Sequence, residues 1–157
     1  MERELIKISV RELVEFILRS GDIDNRVGGK KDAESMLAGA RIHRKIQRSM
    51  GSDYHAEVTL KHLIPMEKFD LQVEGRADGI IDGNPVTIDE IKGIYKSLEY
   101  LKGPVPVHLA QAKCYAYIYG LQNDQKNMGV QMTYANLESE EIKRFREEFT
   151  FESLKEW

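Results

Sequence analysis

The segment from Gly75 to Gly93, GRADGIIDGNPVTIDEIKG, places carboxylates and a lysine on either side of a turn. The Asp82-Gly83-Asn84 turn predicts a β-hairpin, in which residues at similar distances from the turn become cross-strand neighbours. Asp78 should therefore face Asp89 and Glu90 on the next strand. Because opposed like charges destabilise a sheet, this arrangement requires a compensating cation or a protonated carboxyl. Such oxygen ligands suit Mg²⁺ or Mn²⁺, which usually retain waters that could hydrolyse a phosphodiester.

Lys92 follows Glu90 by two residues, and side chains two apart on a strand share one face. The lysine would then lie beside the metal, where its ammonium can orient or deprotonate the attacking water and stabilise charge on the phosphate. The peptide carbonyl of Ile91 is a candidate further oxygen ligand. The string Asp-Glu-x-Lys also occurs on solvated strand faces as an ordinary ion pair. The neighbouring isoleucines favour central strands instead, and central strands rarely bury charges without a functional role.

Composition limits the classes of protein to which such a site can belong. With 157 residues, 41% of them hydrophobic and 31% charged, the chain is expected to form one globular domain. No apolar run approaches the ~18 residues of a membrane span, and no secretory leader is recognisable, so we expect a cytoplasmic protein with no membrane role. The single cysteine, Cys114, excludes an internal disulfide and is expected to be a buried thiol. The net charge of −3 means that any nucleic-acid binding must be local.

Two helices are expected before the strands that carry the site. Ser9 followed by Glu12 is a capping-box pattern, which predicts a first helix that ends near Ser20-Gly21. Its buried face is expected to consist of Leu13, Phe16 and Ile17. A second helix is predicted from about residue 32 to residue 50. Its buried stripe is expected to include Leu37, Ala40 and Ile46.

From residue 55 onward the hydrophobic period changes to that of strands. Three antiparallel strands are predicted, in the runs AEVTLKHLI, FDLQVEGRADGII and PVTIDEIKG. VHLAQAKCYAYIYGL returns to a helical period, MGVQMTYANL predicts a fourth strand and SEEIKRFREEF predicts a closing helix. The order ααβββαβα predicts an α/β fold, in which a mixed central sheet of about four strands is flanked by helices.

The motifs resemble those of a known family. GRAD followed by IDEIK resembles the PD-(D/E)XK nuclease superfamily, with Ala77-Asp78 in place of Pro-Asp. Residues 39–43 (GARIH) are similar to the Gly-x-x-x-His motif of its RecB-like branch, and residues 111–115 (QAKCY) to its Gln-x-x-x-Tyr motif. These pieces occur in the order that the branch shows. The runs SVRELVEFILRSGDIDNR and AQAKCYAYIYG are also similar to the N-terminal nuclease region of some bacterial DinG-like DNA helicases.

This resemblance implies a restriction-endonuclease-like core in a single domain over residues 1–157, which could be excised from a longer helicase–nuclease. It also implies roles for individual residues: metal binding by His43, Asp78, Glu90 and the carbonyl of Ile91; catalysis by Asp78, Glu90 and Lys92; and substrate binding by Gln111 and Tyr115. The cysteines of the iron–sulfur members of the branch are missing. The expected cofactor is therefore Mg²⁺ or Mn²⁺ without an iron–sulfur cluster, and an imidazole ligand favours Mn²⁺.

The activity implied by the resemblance is metal-dependent hydrolysis of DNA phosphodiester bonds, with single-stranded ends or flaps as substrates. DNA would be the partner, together with a covalently linked or associated helicase. A catalytically silent DNA-binding or scaffolding module of a helicase is the alternative. A nuclease for RNA or RNA–DNA hybrids is a third hypothesis, because chemistry at the phosphate does not report the 2′ position.

Several other residues have weaker candidate roles. Glu57 and Asp89 are candidates to assist the metal. His55, His62 and His108 lack metal-ligand spacing with one another and are expected at the surface. The basic residues available for phosphate contact are Lys30, Lys31, Arg41, Arg44, Lys45, Arg48, Lys96, Lys102 and Lys113.

Overall fold

The computed structural model describes residues 4–20, 33–95 and 98–156. In this part of the chain, helices pack against a six-stranded mixed sheet, so the predicted α/β class is confirmed with two more strands than expected. The elements in chain order are β1 (Glu4–Ser9), α1 (Val10–Ser20), α2 (Ala33–Ser49), β2 (Tyr54–Pro65), β3 (Phe69–Ile81), β4 (Thr87–Ile94), a 3-10 helix (Leu98–Tyr100), α3 (Pro106–Gln122), β5 (Asn127–Asn136), β6 (Ile142–Thr150) and α4 (Phe151–Glu156).

The pairing of β3 creates an opening within the sheet. Along one side of β3, β2 pairs antiparallel from Asp70 to Ile81. The other side is shared, because β1 pairs parallel with Phe69–Glu74 and β4 pairs antiparallel with Gly79–Ile81. Among the described strands, none pairs with residues 75–78 on that side. We call this opening between β1 and β4 the fork.

β4 and β5 form the centre of the sheet. They pair in parallel, and α3 provides the crossover connection that parallel strands require. Every residue of β5 after Asn127 is buried, as expected for a strand that is covered on both faces. β6 pairs antiparallel with β5 on the side away from β4. The strand that carries Glu90 is therefore deeply enclosed.

The prediction of a closing helix in SEEIKRFREEF was wrong. Ile142–Thr150 forms β6, and α4 begins only at Phe151. Phe145 and Phe149 both pack against the main core. Their spacing of four residues fits one face of a helix and one face of a strand equally well, and pairing with β5 decides between them. β1 was also missed, because its pairing with β3 is a long-range contact that no local turn signals.

α1 begins as predicted but buries a different face. The Ser9 hydroxyl accepts a hydrogen bond from the Glu12 backbone N–H at 3.0 Å, which is half of the capping box. Phe16 and Ile17 are 70% and 56% exposed, so the prediction that they are buried was wrong. Two apolar stripes of helical spacing are available in this sequence, and contact with β3 and α3 selects the other one. The selected stripe consists of Val10, Val14 and the half-buried Leu13.

α2 contacts β4 through Ile42 and Ile46, which form a small core cluster with Ile91. The predicted burial of Ile46 is confirmed. Leu37 is 63% exposed and Ala40 is exposed, so their predicted burial was wrong. Both residues project from the side of the helix opposite to the Ile42–Ile46 ridge, since each residue advances about 100° around an α-helix.

The main hydrophobic core lies between the sheet and the helices α1, α3 and α4. Ala112 and Ala116 of α3 are fully buried in this core, and their small side chains allow α3 to lie close to the sheet. Within the described ranges, no helix is both long and apolar enough to cross a membrane.

Candidate active site

Asp78 and Glu90 meet at the fork. The Asp78 oxygen Oδ2 accepts a hydrogen bond from the Ile91 backbone N–H at 2.7 Å. In return, the Asp78 backbone N–H donates to the Glu90 oxygen Oε1 at 3.3 Å. The two carboxylates thus accept hydrogen bonds from the N–H groups of Asp78 and Ile91. These N–H groups would pair between β3 and β4 if the ladder were longer. The hairpin register, in which Gly79 pairs with Asp89, brings the two acidic side chains together.

Glu90 is only 4% exposed. Burial raises the pKa of Glu90, the negative charge of Asp78 raises it further, and the ammonium of Lys92 opposes both effects. The pKa of Glu90 consequently lies well above its usual range. An ionised Glu90 beside Asp78 is unfavourable in this enclosed position, and a bound divalent cation would remove the penalty.

Lys92 lies on the same face of β4 as Glu90. Its Nζ atom is 4.0 Å from Glu90 Oε2, and its side chain remains 28% exposed. The ammonium is thus close to the carboxylates and can still reach a ligand from solvent. Ile91 packs on the opposite face against α2. Its N–H is bound to Asp78, while the role of its carbonyl as a metal ligand stays a prediction.

His43 reaches the fork from α2. Its Nδ1 lies 2.8 Å from the Gly39 carbonyl oxygen, and its Nε2 lies 3.5 Å from Asp78 Oδ2. Burial lowers the pKa of His43, but the hydrogen bond and charge of Asp78, together with the Gly39 carbonyl, raise it by more. An Nδ1–H that donates to a backbone carbonyl fixes the imidazole and directs Nε2 towards Asp78, where a metal could replace the proton between them, as is usual for histidine ligands.

Gln111 extends from α3 into a buried position. Among the described residues, its Oε1 atom is a buried side-chain oxygen with no hydrogen-bond partner. An unpaired buried acceptor is unfavourable by roughly 1–3 kcal/mol, so native proteins usually supply a donor for it. A donor that arrives with a cofactor or substrate would satisfy this atom.

Tyr115 lies one turn after Gln111 and belongs to the main core. Its hydroxyl is hydrogen-bonded by the backbone of Arg76, inside the fork. Burial raises the pKa of Tyr115, and the charges of Glu90 and Asp78 raise it further. A Cβ atom at Gly75 would lie 2.6 Å from this hydroxyl, so Tyr115 requires glycine there. The position of Tyr115 supports β3 just before Asp78.

Gln47 of α2 and Glu57 of β2 lie beside Asp78, and no sequence pattern had marked Gln47 as a site residue. The Gln47 amide nitrogen donates to the Asp78 backbone carbonyl at 2.9 Å and to Glu57 Oε1 at 3.0 Å. The other oxygen of Glu57 pairs with Arg76 Nε at 3.1 Å. Gln47 follows His43 by one helical turn, a spacing that could have identified it once His43 was proposed.

Asp89 points to the opposite face of β4 from Glu90. Its Oδ2 accepts a hydrogen bond from the Tyr54 hydroxyl at 2.7 Å, and its Oδ1 accepts one from Thr133 at 2.6 Å and one from Gln131 at 3.3 Å. Burial raises the pKa of Asp89 despite these bonds. Since its oxygens are occupied within the sheet, Asp89 stabilises the strands that carry the site.

The remaining histidines and the cysteine lie away from the fork. His55 is exposed, as expected, and pairs with Asp82 at 2.9 Å. The surface prediction was wrong for His62 and His108, which are half-buried against tyrosine rings. Cys114 is half-buried, and burial raises the pKa of its thiol to about 11. The thiol is therefore protonated at neutral pH.

The basic residues expected to contact phosphate are spread over several elements. Lys102 is exposed before α3, whereas Lys113 of α3 lies 4.9 Å from the centroid of the Phe149 ring. The exposed basic residues of α2 are Arg41, Arg44, Lys45 and Arg48. The predictions for Lys30, Lys31 and Lys96 lie outside the described residues.

The donors at the fork suit a hard divalent cation. In the described ranges, no three His, Cys, Asp or Glu side chains already surround a common point where an ion would sit. Those at the fork are hydrogen-bonded to backbone groups and to one another instead. One observation favours a cation in their midst, namely the enclosed Glu90 carboxyl beside Asp78. Carboxylates with one imidazole fit Mg²⁺ or, better, Mn²⁺.

Comparison with known proteins identifies solved structures of similar fold but no matching protein family. No protein-family model matches the chain, and no curated protein matches its sequence. Among solved structures, the crystal structure of SSO0001 is similar, with a TM-score of 0.63 and 19% identity over 93% of this chain and 68% of that one. An alkaline exonuclease (LHK-Exo) from Laribacter hongkongensis has a TM-score of 0.52 and 14% identity over 96% of this chain and 81% of its own.

At these identities the likeness establishes the fold alone. The predicted α/β core, with a mixed central sheet flanked by helices, is confirmed, and its fold is similar to that of the exonuclease. The narrower resemblance to the RecB-like branch and to DinG-like helicases stays a prediction. This chain therefore has a mixed α/β fold shared with an alkaline exonuclease, and its fork gathers Asp78, Glu90, Lys92 and His43.

Proposed function

We propose that this chain is a Mg²⁺- or Mn²⁺-dependent deoxyribonuclease that hydrolyses phosphodiester bonds, with single-stranded ends or flaps as substrates. The observation that carries the proposal is the fork, where two carboxylates, a lysine and an imidazole lie together in a nuclease-type fold. The enclosed Glu90 gives this cluster a physical need for a cation.

Each residue at the fork has a distinct role in the proposed reaction. Asp78, Glu90, His43 and the Ile91 carbonyl would hold the ion, which supplies Lewis acidity for the phosphate and the attacking water. Lys92 would orient that water through Nζ and stabilise the negative charge that grows on the phosphate. The water oxygen would bond to phosphorus as the ester P–O bond breaks, the water would give up one proton to solvent, and the leaving oxygen would take up one proton from solvent.

Gln111 and Tyr115 complete the proposed substrate side of the fork. The unpaired Gln111 oxygen would accept a hydrogen bond from Lys92 and so hold the ammonium in place. Tyr115 would keep the β3 backbone in position below the phosphate through its contact with Arg76.

The experiment that tests this proposal compares end-labelled single-stranded, double-stranded and flapped DNA. Each is incubated with the chain in Mg²⁺, Mn²⁺ or EDTA, and the products are resolved by length. We expect cleavage with either ion and none in EDTA, with single-stranded ends or flaps cut fastest. A matched RNA strand tests sugar preference. Equal cleavage in EDTA, or none under any condition, would contradict the proposed activity.

The outer face of α2 is the proposed path of the nucleic-acid backbone. Residues 37–49 contain no acidic side chain, and Arg44 and Arg48 each follow by one position a residue that points into the fork. Arg44 and Arg48 are exposed, and each projects about 100° around the helix axis from the preceding residue, His43 or Gln47. Lys45 projects away from the fork and pairs with Glu140 at 2.9 Å.

Neutralising Arg44 or Arg48 with glutamine should weaken DNA binding in a salt-dependent way. We expect the slope of log affinity against log salt to fall by about 0.7–0.9 for each lost phosphate contact. Fluorescence anisotropy of labelled DNA in EDTA measures this slope without cleavage. Lys45→Gln removes an equal charge from the same helix and should leave the slope unchanged. An equal effect of all three substitutions would indicate a general charge effect and contradict this path.

We also propose that residues 1–157 act as one nuclease domain beside a helicase, either linked to it or associated with it. The support is the similarity of the N-terminal and α3 sequences to DinG-like helicases. The coding sequence on either side of this segment tests the linked form. Helicase motifs in the same reading frame would support it, and a stop codon with no helicase gene nearby would count against both forms.

A further inference from the structure

Gln47 binds one acceptor on β3 and one on β2 with a single amide group. Its Nε2 donates to the Asp78 carbonyl at 2.9 Å and to the Glu57 carboxylate at 3.0 Å. A primary amide nitrogen has two hydrogens, so both are used. Ile42 and Ile46 fix the helix of Gln47 against β4, which limits the freedom of the amide.

The backbone at Asp78 lacks the support that strands usually provide. The β2–β3 ladder pairs Ala56 with Gly79 and Val58 with Ala77, but it skips the Glu57–Asp78 pair between them. Glu57 has a φ of 57°, in the left-handed region that is unfavourable for residues other than glycine. On the other side of Asp78 is the fork. Side chains must therefore hold this part of β3.

Two side chains supply that support. Glu90 binds the Asp78 N–H, and Gln47 binds the Asp78 carbonyl. Gln47 also restrains Glu57, whose unusual backbone conformation lies directly opposite. Because Gln47 and His43 are one turn apart on α2, the same helix turn fixes both the imidazole and the backbone from which the Asp78 carboxylate projects.

From this geometry we propose that Gln47 is a positioning residue for the metal site, which sets the distance between the His43 imidazole and the Asp78 carboxylate. The proposal rests on the proposed function, since it presumes that these two side chains bind a divalent ion. Partners that orient metal ligands typically contribute about 10- to 100-fold in metal affinity. Gln47 touches neither substrate nor ion in this role.

Gln47→Met removes both hydrogen bonds and keeps the length and helix propensity of the side chain. Calorimetric titration of the purified chain with Mn²⁺, in the absence of DNA, should show about 10- to 100-fold weaker binding. Gln47→Asn, which is too short to reach both acceptors, should weaken binding in the same direction and serves if the methionine variant does not fold. In DNA cleavage assays, a higher Mn²⁺ concentration should restore the cleavage rate of the Gln47→Met variant.

The matched control is Gln122→Met. Gln122 also donates from a helix to a strand carbonyl, that of Lys61, but it lies away from the fork. We expect it to lose similar stability and to bind Mn²⁺ as the unmodified chain does. Folded Gln47 variants with unchanged Mn²⁺ affinity would overturn the positioning role and leave the proposed nuclease intact. If the unmodified chain bound no Mn²⁺, that result would contradict both the proposed metal site and the positioning role of Gln47.

Discussion

Replacing Lys92 with methionine should slow metal-dependent cleavage by about 100- to 10,000-fold, the usual contribution of a positioned acid–base group. The Lys92 ammonium lies 4.0 Å from Glu90 Oε2 and is partly open to solvent, which places it to contact the water and the phosphate of the proposed reaction. Methionine has a similar length and cannot donate a proton. Single-turnover rates at saturating Mn²⁺ measure the loss at the chemical step.

The Lys92 variant should keep its fold and still bind DNA, because the lysine side chain is not part of either core cluster. Lys126→Met, at an exposed position before β5, removes the same charge and should cleave normally. If Lys92→Met retained more than about a tenth of the rate, well above the range for such a group, the lysine would have only an electrostatic role at the edge of the site.

Replacing Glu90 with glutamine should abolish cleavage and yet stabilise the metal-free chain at neutral pH. Because the pKa of Glu90 is raised by burial and by Asp78, the folded state resists ionisation of this carboxyl. Its stability contribution is complete below the ordinary pKa of 4.5 and is lost as the pH rises through the raised value. Glutamine does not ionise, and its amide oxygen can still accept the Asp78 N–H. The expected gain is on the order of a few kcal/mol.

Urea unfolding in EDTA at a series of pH values measures this gain. The difference between Glu90→Gln and the unmodified chain should grow from acidic to neutral pH, and added Mn²⁺ should stabilise only the unmodified chain. Glu148→Gln, at an exposed position on β6, should show neither effect. A Glu90→Gln chain that is less stable than the unmodified one at neutral pH would show that the ionised carboxylate is already compensated without metal.

The strand-borne part of the site could be predicted because it depends on local rules. The Asp82-Gly83-Asn84 turn sets the hairpin register, and the register brings Asp78 to Glu90. The alternation of side chains then places Lys92 beside Glu90. The predicted roles of His43 and Gln111 rested instead on resemblance to a family, since the sequence around either residue does not by itself indicate a site.

The fork itself could not be predicted from local pattern. It exists because β1 and β4 share one side of β3, and β1 is paired only through a contact more than sixty residues away in sequence. Gln47 was missed for the same reason, since a glutamine on an amphipathic helix is ordinary until its acceptors are known. The prediction of a closing helix failed for a different reason. The spacing of Phe145 and Phe149 fits one face of a helix and one face of a strand equally well.

Calorimetric titration of the unmodified chain and of Asp78→Ala with Mn²⁺ tests the central claim most directly. We expect saturable binding to the unmodified chain that disappears in the variant, because Asp78 lies within reach of His43, Glu90 and the Ile91 N–H at the fork. No heat of binding in either chain, or equal binding in both, would contradict a metal site at the fork and would favour a catalytically silent module with a nuclease-type fold.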